Sequence, residues 1–148
     1  MILYLDTSAI VKLYVTEEGS ARVREAVDAS DLVATSRVAY AEARAALAMA
    51  ARLGRISEDE RALAAAAFRS EWHTFSVVNV TQPIVELAAD LAETRSLRGF
   101  DAIHLASSLL VRQRTDAPVR FMAWDKALVR AASDTGLETE SFGPPLPE

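Results

Sequence analysis

The stretch Ile2-Leu-Tyr-Leu-Asp6 decides the fold class of this chain. Four apolar residues that run straight into an acid are typical of a central strand in a parallel sheet, because such a strand is buried on both faces. Helices are predicted next, from Ser8 to Tyr14 and from Ser20 to Ala29, followed by a second strand from Leu32 to Thr35. This β-α-α-β order predicts an α/β protein.

The rest of the chain continues the alternation of helices and strands. Five further helices are predicted: Ser36 to Leu53, Ser57 to Thr74, Thr81 to Arg95, Phe100 to Arg114, and one that follows Asp125 and ends at Thr135. Strands are predicted from Phe75 to Val80, from Val119 to Ala123 and, at the sheet edge, from Leu137 to Phe142. The pattern therefore predicts a three-layer α/β fold with a mostly parallel central sheet flanked by helices. We expect a single domain over residues 1–142 and a Pro-rich tail over residues 143–148 that does not pack regularly.

Composition narrows the classes of function. The chain has 148 residues, of which 51% are hydrophobic, enough for one buried core. It has no cysteine, which excludes disulfides, thiolate metal sites and cysteine nucleophiles. The net charge of −5 excludes nucleic-acid binding by a general positive surface, so any such binding must be local or metal-mediated. No basic leader precedes the first strand and no apolar run reaches the ~18 residues of a membrane span, so we expect a cytoplasmic protein.

Two aspartates stand directly after predicted strands. Asp6 follows the first strand and Asp125 follows the fourth, each just before a helix. Ligands of parallel α/β sheets bind outside the carboxyl ends of the strands, which makes both carboxylates candidates for a functional site. The alternative for each is a helix N-cap, since aspartate accepts hydrogen bonds from free N–H groups at a helix start.

Glu42 is a third candidate, because a helical projection places it on an apolar stripe. The other members of that stripe are Val38, Ala45, Met49 and Leu53. The stripe is predicted to face the core, where an unpaired carboxylate is costly. Glu42 is therefore predicted either to bind a metal ion or to form a buried ion pair with Arg52.

Asp101 is the fourth candidate and lies in the first turn of its predicted helix. It stands at the edge of an apolar arc formed by Ala102, Leu105, Ala106, Leu109 and Leu110. An acid at the border of a buried face and at a helix start can point into a cleft at the end of the sheet. The alternative is that Asp101 only stabilises the helix dipole.

Four segments match a known pattern in order and spacing over nearly the whole chain. They are Tyr4-Leu-Asp-Thr-Ser-Ala-Ile10, Glu42, Phe100-Asp-Ala-Ile-His-Leu-Ala106 and Met122-Ala-Trp-Asp-Lys-Ala-Leu128. In these segments the chain resembles the PIN-domain nucleases, and within them the VapC-type toxins of bacterial toxin–antitoxin pairs. The segments correspond to the first strand with its acid, the helix glutamate, the third acid and the last acid. One departure is Ala123, where many family members have Ser or Thr.

The resemblance implies a PIN-like fold and a Mg²⁺- or Mn²⁺-dependent ribonuclease, acting as the toxin of a pair and inhibiting translation. Asp6 and Asp101 would hold the principal ion, Glu42 would bind it or position the attacking water, and Asp125 would support a second ion. All four are carboxylates, and oxygen-only ligands favour these hard cations. Ser8 would orient Asp6 or a metal-bound water, with a helix cap as its alternative. A small VapB-like antitoxin that blocks the site and a homodimer are also implied.

Four basic residues are predicted near the same edge of the sheet, namely Lys12, Arg37, Arg98 and Lys126. Each is interpreted either as a contact to a flanking phosphate of the RNA or as a solvated side chain.

Other functions stay open from the sequence alone. A haloacid-dehalogenase-like phosphatase needs a second acid two residues after Asp6, where Ser8 stands, and a histidine-based ribonuclease needs His73 and His104 to converge. A PIN-like nuclease that acts in RNA processing or cleaves DNA flaps is one alternative. A PIN domain that only binds a partner is another.

Overall fold

The computed structural model describes residues 1–140 of the chain. That range contains five strands: β1 (Ile2–Leu5), β2 (Leu32–Ser36), β3 (Ser76–Val78), β4 (Val119–Met122) and β5 (Glu138–Thr139). It also contains seven α-helices: α1 (Thr7–Tyr14), α2 (Ser20–Ala29), α3 (Ala39–Arg52), α4 (Glu58–Glu71), α5 (Gln82–Arg95), α6 (Gly99–Thr115) and α7 (Lys126–Asp134). A short 3₁₀ helix, Trp72–Thr74, follows α4. This alternation confirms the predicted α/β class.

The strands pair in parallel in the order β3-β2-β1-β4-β5. β1 is central, because Tyr4 lies opposite Ala34 of β2 and Phe121 of β4. All of β1 is buried, as its apolar run predicts. Because parallel strands end at the same edge, the residues after β1 and β4 are neighbours, and the backbone N–H of Asp6 donates to the carbonyl of Met122 at 3.2 Å.

The side chains of β1 alternate between two cores, one on each face of the sheet. Leu3 and Leu5 pack into a core that includes buried residues of α1, α2, α3 and α4. Tyr4 packs into the other core, with buried residues of α5, α6 and α7. Alternation of this kind is what a two-sided, fully covered strand requires. The predicted three-layer arrangement is therefore confirmed.

The start of α3 differs from its prediction, whereas the start of α4 is as predicted. Ser57 and Glu60 form the capping box expected at α4, with reciprocal backbone-to-side-chain hydrogen bonds of 3.0 and 3.1 Å. Ser36 was predicted to cap the preceding helix, and that is wrong by two residues, because the N-cap is Val38. Ser36 still belongs to β2, opposite Val78 of β3, and the helix begins at Ala39. Continued pairing with β3 holds Ser36 in the sheet.

The edge strand is shorter than the predicted Leu137 to Phe142, since β5 comprises Glu138–Thr139. The end of that prediction and the predicted tail over residues 143–148 lie outside the described residues, so the single domain over residues 1–142 stays a prediction. Within residues 1–140, none of the helices combines the length and the apolar character needed to span a bilayer.

The buried face of α3 is not the one predicted from its apolar stripe. The buried residues are Ala39, Ala43 and Leu47, whereas Met49 is 50% and Leu53 is 59% exposed. The prediction was wrong because α3 is alanine-rich on most sides, so apolar residues alone do not single out one face. The small side chains of Ala39 and Ala43 form the face that packs into the core, where α3 contacts α1 and α4.

The turn between α1 and α2 packs against Trp124, which directly precedes Asp125. Gly19 has a φ of +92°, and a Cβ atom there would lie 2.4 Å from Cζ2 of Trp124. Lys12 completes the contact, with its Nζ 4.6 Å from the indole centroid and 2.8 Å from Oε1 of Glu17. Only glycine therefore allows this turn to lie against the β4–α7 connection.

We predict that Gly19→Ala lowers the free energy of unfolding by about 2–4 kcal/mol, since the variant combines an unfavourable φ with a clash against an aromatic ring. Gly54→Ala is the matched control, because Gly54 has a φ of +72° but open space around the added Cβ. We expect the control to lose only about 1 kcal/mol. Urea unfolding measures both, and equal losses would show that the contact with Trp124 contributes nothing.

Candidate active site

Asp6 is a buried carboxylate at the centre of the sheet edge. Only 5% of its surface is exposed, because it directly follows the central strand. Its Oδ1 accepts hydrogen bonds from the backbone N–H of Ala9 at 3.0 Å and from Oγ of Ser8 at 2.7 Å. The N-cap role expected as an alternative is thus observed. Both hydrogen bonds end on Oδ1, which leaves Oδ2 available to a ligand.

Ser8 links Asp6 to the connection after β4. Its Oγ donates to Asp6 and accepts from the backbone N–H of Trp124 at 3.2 Å. The helix-cap alternative for Ser8 is wrong, because the N-cap of α1 is Asp6. A serine that donates to one carboxylate oxygen and is itself held by a backbone N–H fixes the orientation of that carboxylate.

The environment of Asp6 opposes its negative charge. Burial raises the pKa of Asp6 to about 6, from an ordinary value of 3.8, and the charge of Asp101 adds to the rise. His104 and the hydrogen bonds from Ser8 and Ala9 lower the pKa without offsetting the burial. The charge of Asp101 therefore reaches Asp6, but it contributes less to the raised pKa than burial does.

Asp101 and Asp125 share one arginine. Nε of Arg98 lies 3.0 Å from Oδ2 of Asp101, and its Nη2 lies 3.6 Å from Oδ2 of Asp125. These two carboxylates raise the pKa of Arg98 further. The arginine side chain is 79% exposed, so both ion pairs are open to water and are weak. Asp125 also caps α7, since its Oδ1 accepts from the N–H of Leu128 at 2.9 Å.

Glu42 reaches the same edge from α3 and is held by two donors. Oγ1 of Thr7 donates to its Oε1 at 2.8 Å, and Nε2 of His104 lies 2.9 Å from the same oxygen. Burial raises the pKa of Glu42, but the hydrogen bonds from His104 and Thr7 and the charge of Arg98 together lower it. The predicted alternative of an ion pair with Arg52 is wrong, because the partners of Glu42 are these residues.

His104 and Thr7 are site residues that the sequence reasoning missed. His104 is 1% exposed, and its Nδ1 lies 2.8 Å from the hydroxyl of Tyr4. One signal in the sequence points to it: Asp101 and His104 are three positions apart, which places both on one face of α6. For Thr7, the only signal is its position next to Asp6.

Glu42 and Asp101 border an open groove of about 670 Å³ between α3, α5 and the start of α6. Polar groups of Glu42, Arg98 and Asp101 line one part of it. The remaining lining is largely apolar and consists of Val85, Ala88, Ala89, Ala92, Gly99, Phe100 and Ile103. A chain of substrate can therefore approach Glu42 and Asp101 directly from solvent.

The donor set fits a hard divalent cation in its chemistry. Asp6, Glu42, Asp101 and Asp125 offer only carboxylate oxygens, the ligands that Mg²⁺ and Mn²⁺ prefer. Within residues 1–140, however, no three His, Asp or Glu side chains stand close enough to enclose an ion as they are arranged. Two of the four carboxylates, Asp101 and Asp125, are paired with Arg98 in this arrangement.

The other predicted basic residues have different surroundings. Lys12 pairs with Glu17, and Arg37 donates to Oδ1 of Asn79 at 2.8 Å. Lys126 is exposed at the start of α7. Arg98 is thus the predicted phosphate contact that lies directly at the acids.

The fold and this arrangement of acids define the class of the protein. Residues 3–118 match the PIN domain family, a range that contains Asp6, Glu42 and Asp101 and ends before Asp125. The chain belongs to the PIN-domain family.

Individual proteins of known name or structure are similar to this chain along most of its length. The chain is 39% identical to ribonuclease VapC49 of Mycobacterium tuberculosis over 135 residues. The matched region covers 91% of this chain and 92% of that protein. Among solved structures, FitAcB from Neisseria gonorrhoeae superposes with a TM-score of 0.65 at 18% identity, covering 95% of this chain and 97% of the other. VapBC-5 of M. tuberculosis, a member of the VapBC family of toxin–antitoxin systems, superposes with a TM-score of 0.57 at 22% identity, covering 94% and 95%.

We predict that Asp6→Asn stabilises the protein at neutral pH in buffer that contains a chelator. Because the folded pKa of Asp6 is raised, the folded state binds a proton more readily than the unfolded state, and stability falls as pH rises from about 4 to about 6. Asparagine removes this penalty, so the variant should be more stable than the parent by about 1–3 kcal/mol at pH ~7 and equally stable below pH ~4.

Chemical denaturation at several pH values measures the difference. Asp90→Asn is the control, because Asp90 is exposed on α5 and should show no pH-dependent gain. If Asp6→Asn is less stable than the parent at neutral pH, the ionised Asp6 does not destabilise the folded state as argued.

Proposed function

We propose that this chain is a metal-dependent endoribonuclease that hydrolyses RNA phosphodiester bonds at the carboxyl edge of the sheet, with Asp6, Glu42 and Asp101 as its acidic residues. The observation that carries the proposal is the pairing of two anchored carboxylates. Asp6 and Glu42 are each held through one oxygen by two hydrogen-bond donors, and each keeps a second oxygen free of those bonds. The 39% identical relative is named a ribonuclease, which supports RNA as the substrate.

Asp6 and Asp101 are the residues we propose as holders of Mg²⁺ or Mn²⁺, with Glu42 as a further ligand or as the group that orients water, and Asp125 beside a second ion. The bound cation supplies a Lewis acid that activates water and offsets charge on the phosphate. The protein itself positions the ligands. Ser8 keeps Asp6 in one orientation at the edge of the sheet.

Arg98 is proposed to change partners when the substrate arrives. In the structure its guanidinium partly neutralises Asp101 and Asp125. Because the side chain is largely exposed, little energy is lost when these ion pairs open. A freed guanidinium next to the groove can contact a phosphate of the RNA, since Arg forms charge-assisted hydrogen bonds with phosphate oxygens.

The alternatives from the sequence are less well supported. His73 is exposed and contacts the carbonyl of Ser70, whereas His104 is buried at the sheet edge, which gives no support to a pair of catalytic histidines. Roles in RNA processing or on DNA flaps lack support from the relatives, which are a ribonuclease VapC and toxin–antitoxin proteins. The anchored acids argue against a domain that only binds a partner.

We further propose that the protein is the toxin of a toxin–antitoxin pair, with a small VapB-like antitoxin as its partner. The support is the similarity to VapC49 along 91% of this chain and to the fold of VapBC-5. The homodimer implied by the resemblance stays a prediction.

We predict that Asp6→Asn and Asp101→Asn each lower the rate of RNA cleavage in Mn²⁺ by about a hundredfold or more, because each removes a charged ligand that the chemistry requires. A labelled single-stranded RNA and the purified variants measure the effect. Asp90→Asn is the control and should cleave like the parent. If either site variant cleaves as fast as the parent, the proposed site is wrong.

Cation binding is tested on the same variants without substrate. A ligand that binds only the folded state raises its stability, so Mn²⁺ should raise the melting temperature of the parent. The rise should shrink in Asp101→Asn and persist in Asp90→Asn. An unchanged melting temperature of the parent across a Mn²⁺ titration would argue against the metal.

The toxin role predicts that expression of the parent alone arrests bacterial growth, since cleaved RNA halts protein synthesis. Expression of Asp6→Asn should permit growth at the same protein level, measured by immunoblot. The toxin role also predicts a gene for a small VapB-like protein beside this one; its co-expression should restore growth with the parent, and its product should co-purify with the parent. Unimpaired growth with active, soluble parent protein would contradict the toxin role while leaving the nuclease intact.

A further inference from the structure

His104 connects the buried core to the candidate active site through both of its ring nitrogens. Nδ1 lies 2.8 Å from the hydroxyl of Tyr4, which is fully buried in the central strand. Nε2 lies 2.9 Å from Oε1 of Glu42 and 3.2 Å from Oγ1 of Thr7. The imidazole also packs edge-on against the ring of Tyr4, with centroids 5.9 Å apart. These contacts leave the imidazole little freedom to rotate.

The chemistry of the groups sets the direction of these hydrogen bonds. An ionised Glu42 can only accept, so Nε2 of His104 must carry a hydrogen in either protonation state of the ring. The single hydroxyl hydrogen of Thr7 goes to Glu42, at 2.8 Å, and its oxygen is then free to accept part of the Nε2 hydrogen. In the neutral ring Nδ1 has no hydrogen and accepts from Tyr4. The donors then all point from the core toward Glu42.

We propose that Tyr4, His104 and Thr7 are positioning residues that hold Glu42 in one orientation for catalysis. The inference rests on the ribonuclease function proposed above. Both donors reach the same oxygen, Oε1, which restrains the carboxylate and leaves Oε2 free of these bonds, and Glu42 itself lines the groove. That oxygen is the one that can bind a cation or orient water.

Close packing in the core does not fix the orientation of Glu42. It is not among the buried residues of α3, which are Ala39, Ala43 and Leu47, and it lines the open groove. Its own side chain is 27% exposed, and a glutamate in such a setting samples several rotamers unless polar contacts select one. A histidine needed only for core packing would not require a chain of donors that ends on a partly exposed carboxylate.

Removing the donors should lower kcat and leave the KM for RNA nearly unchanged. We expect Thr7→Val and His104→Leu to lower kcat by about tenfold to a hundredfold, the usual range for residues that orient a metal ligand or its neighbours. Tyr4→Phe should have a smaller effect, because it frees the imidazole without removing the Nε2 donor. Thr7→Ser and His104→Gln keep a donor toward Glu42 and should recover most of the lost rate.

Ser108→Ala is the matched control. Ser108 is a buried hydroxyl on the same helix as His104, and it donates to the carbonyl of Leu105 rather than to a site residue. Its loss should lower the melting temperature about as much as Tyr4→Phe does while leaving kcat unchanged. The comparison separates a positioning effect from general destabilisation.

A second measurement does not depend on activity or metal. The chain has two histidines, so His73→Gln leaves His104 as the single imidazole for ¹⁵N NMR of the metal-free protein. At alkaline pH we expect the neutral tautomer with hydrogen on Nε2, and we expect Tyr4→Phe to produce a mixture of tautomers. A parent ring with hydrogen mainly on Nδ1 would overturn the inference.

The outcomes separate this inference from the proposed function. Parent-like kcat in folded Thr7→Val and His104→Leu, together with an inactive Asp101→Asn, would overturn the positioning role alone. Full activity of Asp101→Asn would instead overturn the proposed site. If His104→Leu does not fold, Thr7→Val and the tautomer measurement still decide the question.

Discussion

The structure depends on the two-sided pairing of β1, which buries Asp6 at the point where the central strand ends. Parallel register with β4 on one side and β2 on the other forces the carboxyl ends of three strands to one edge. The burial that pairing creates raises the pKa of the carboxylate, so the fold itself produces an electrostatic strain at its centre. A more exposed strand end would relieve the strain and lose the fixed geometry.

The neighbouring groups offset the cost of burying a negative charge to different extents at Asp6 and Glu42. Glu42 is stabilised as an anion by the hydrogen bonds of Thr7 and His104, which together with Arg98 overcome its burial. Asp6 is also stabilised as an anion by His104 and by hydrogen bonds from Ser8 and Ala9, but these do not offset its burial, so its charge is the one that a cation would favour most. Two carboxylates in one site with pKa values shifted in opposite directions can serve different purposes, one as an anchored ligand and the other as an oriented acceptor.

Sequence patterns located the acids better than they located the contacts among them. Asp6 and Asp125 were predictable because a residue directly after a parallel strand must lie at the carboxyl edge. The orientation of α3 was not predictable, since a run of alanines leaves the apolar face ambiguous, and Arg52 was named as a partner of Glu42 on that basis. The contact between Tyr4 and His104 joins residues 100 positions apart and depends on how α6 packs over the sheet, which no local pattern encodes. Ser36 was misplaced for the same kind of reason, because pairing with β3 extends the strand.

Three successive residues at the start of α1, Asp6 to Ser8, make most of the hydrogen bonds that hold the candidate site together. Consecutive residues at a helix start point in directions about 100° apart, so neighbouring side chains there have different partners. Asp6 accepts from the backbone N–H of Ala9 within α1, Thr7 donates to Glu42 on α3, and Ser8 accepts from the backbone N–H of Trp124 after β4. A shift of the helix by one residue would break all three contacts together. The buried N-cap that starts α1 therefore determines the geometry of the site, and the rest of the fold supplies the partners that this turn contacts.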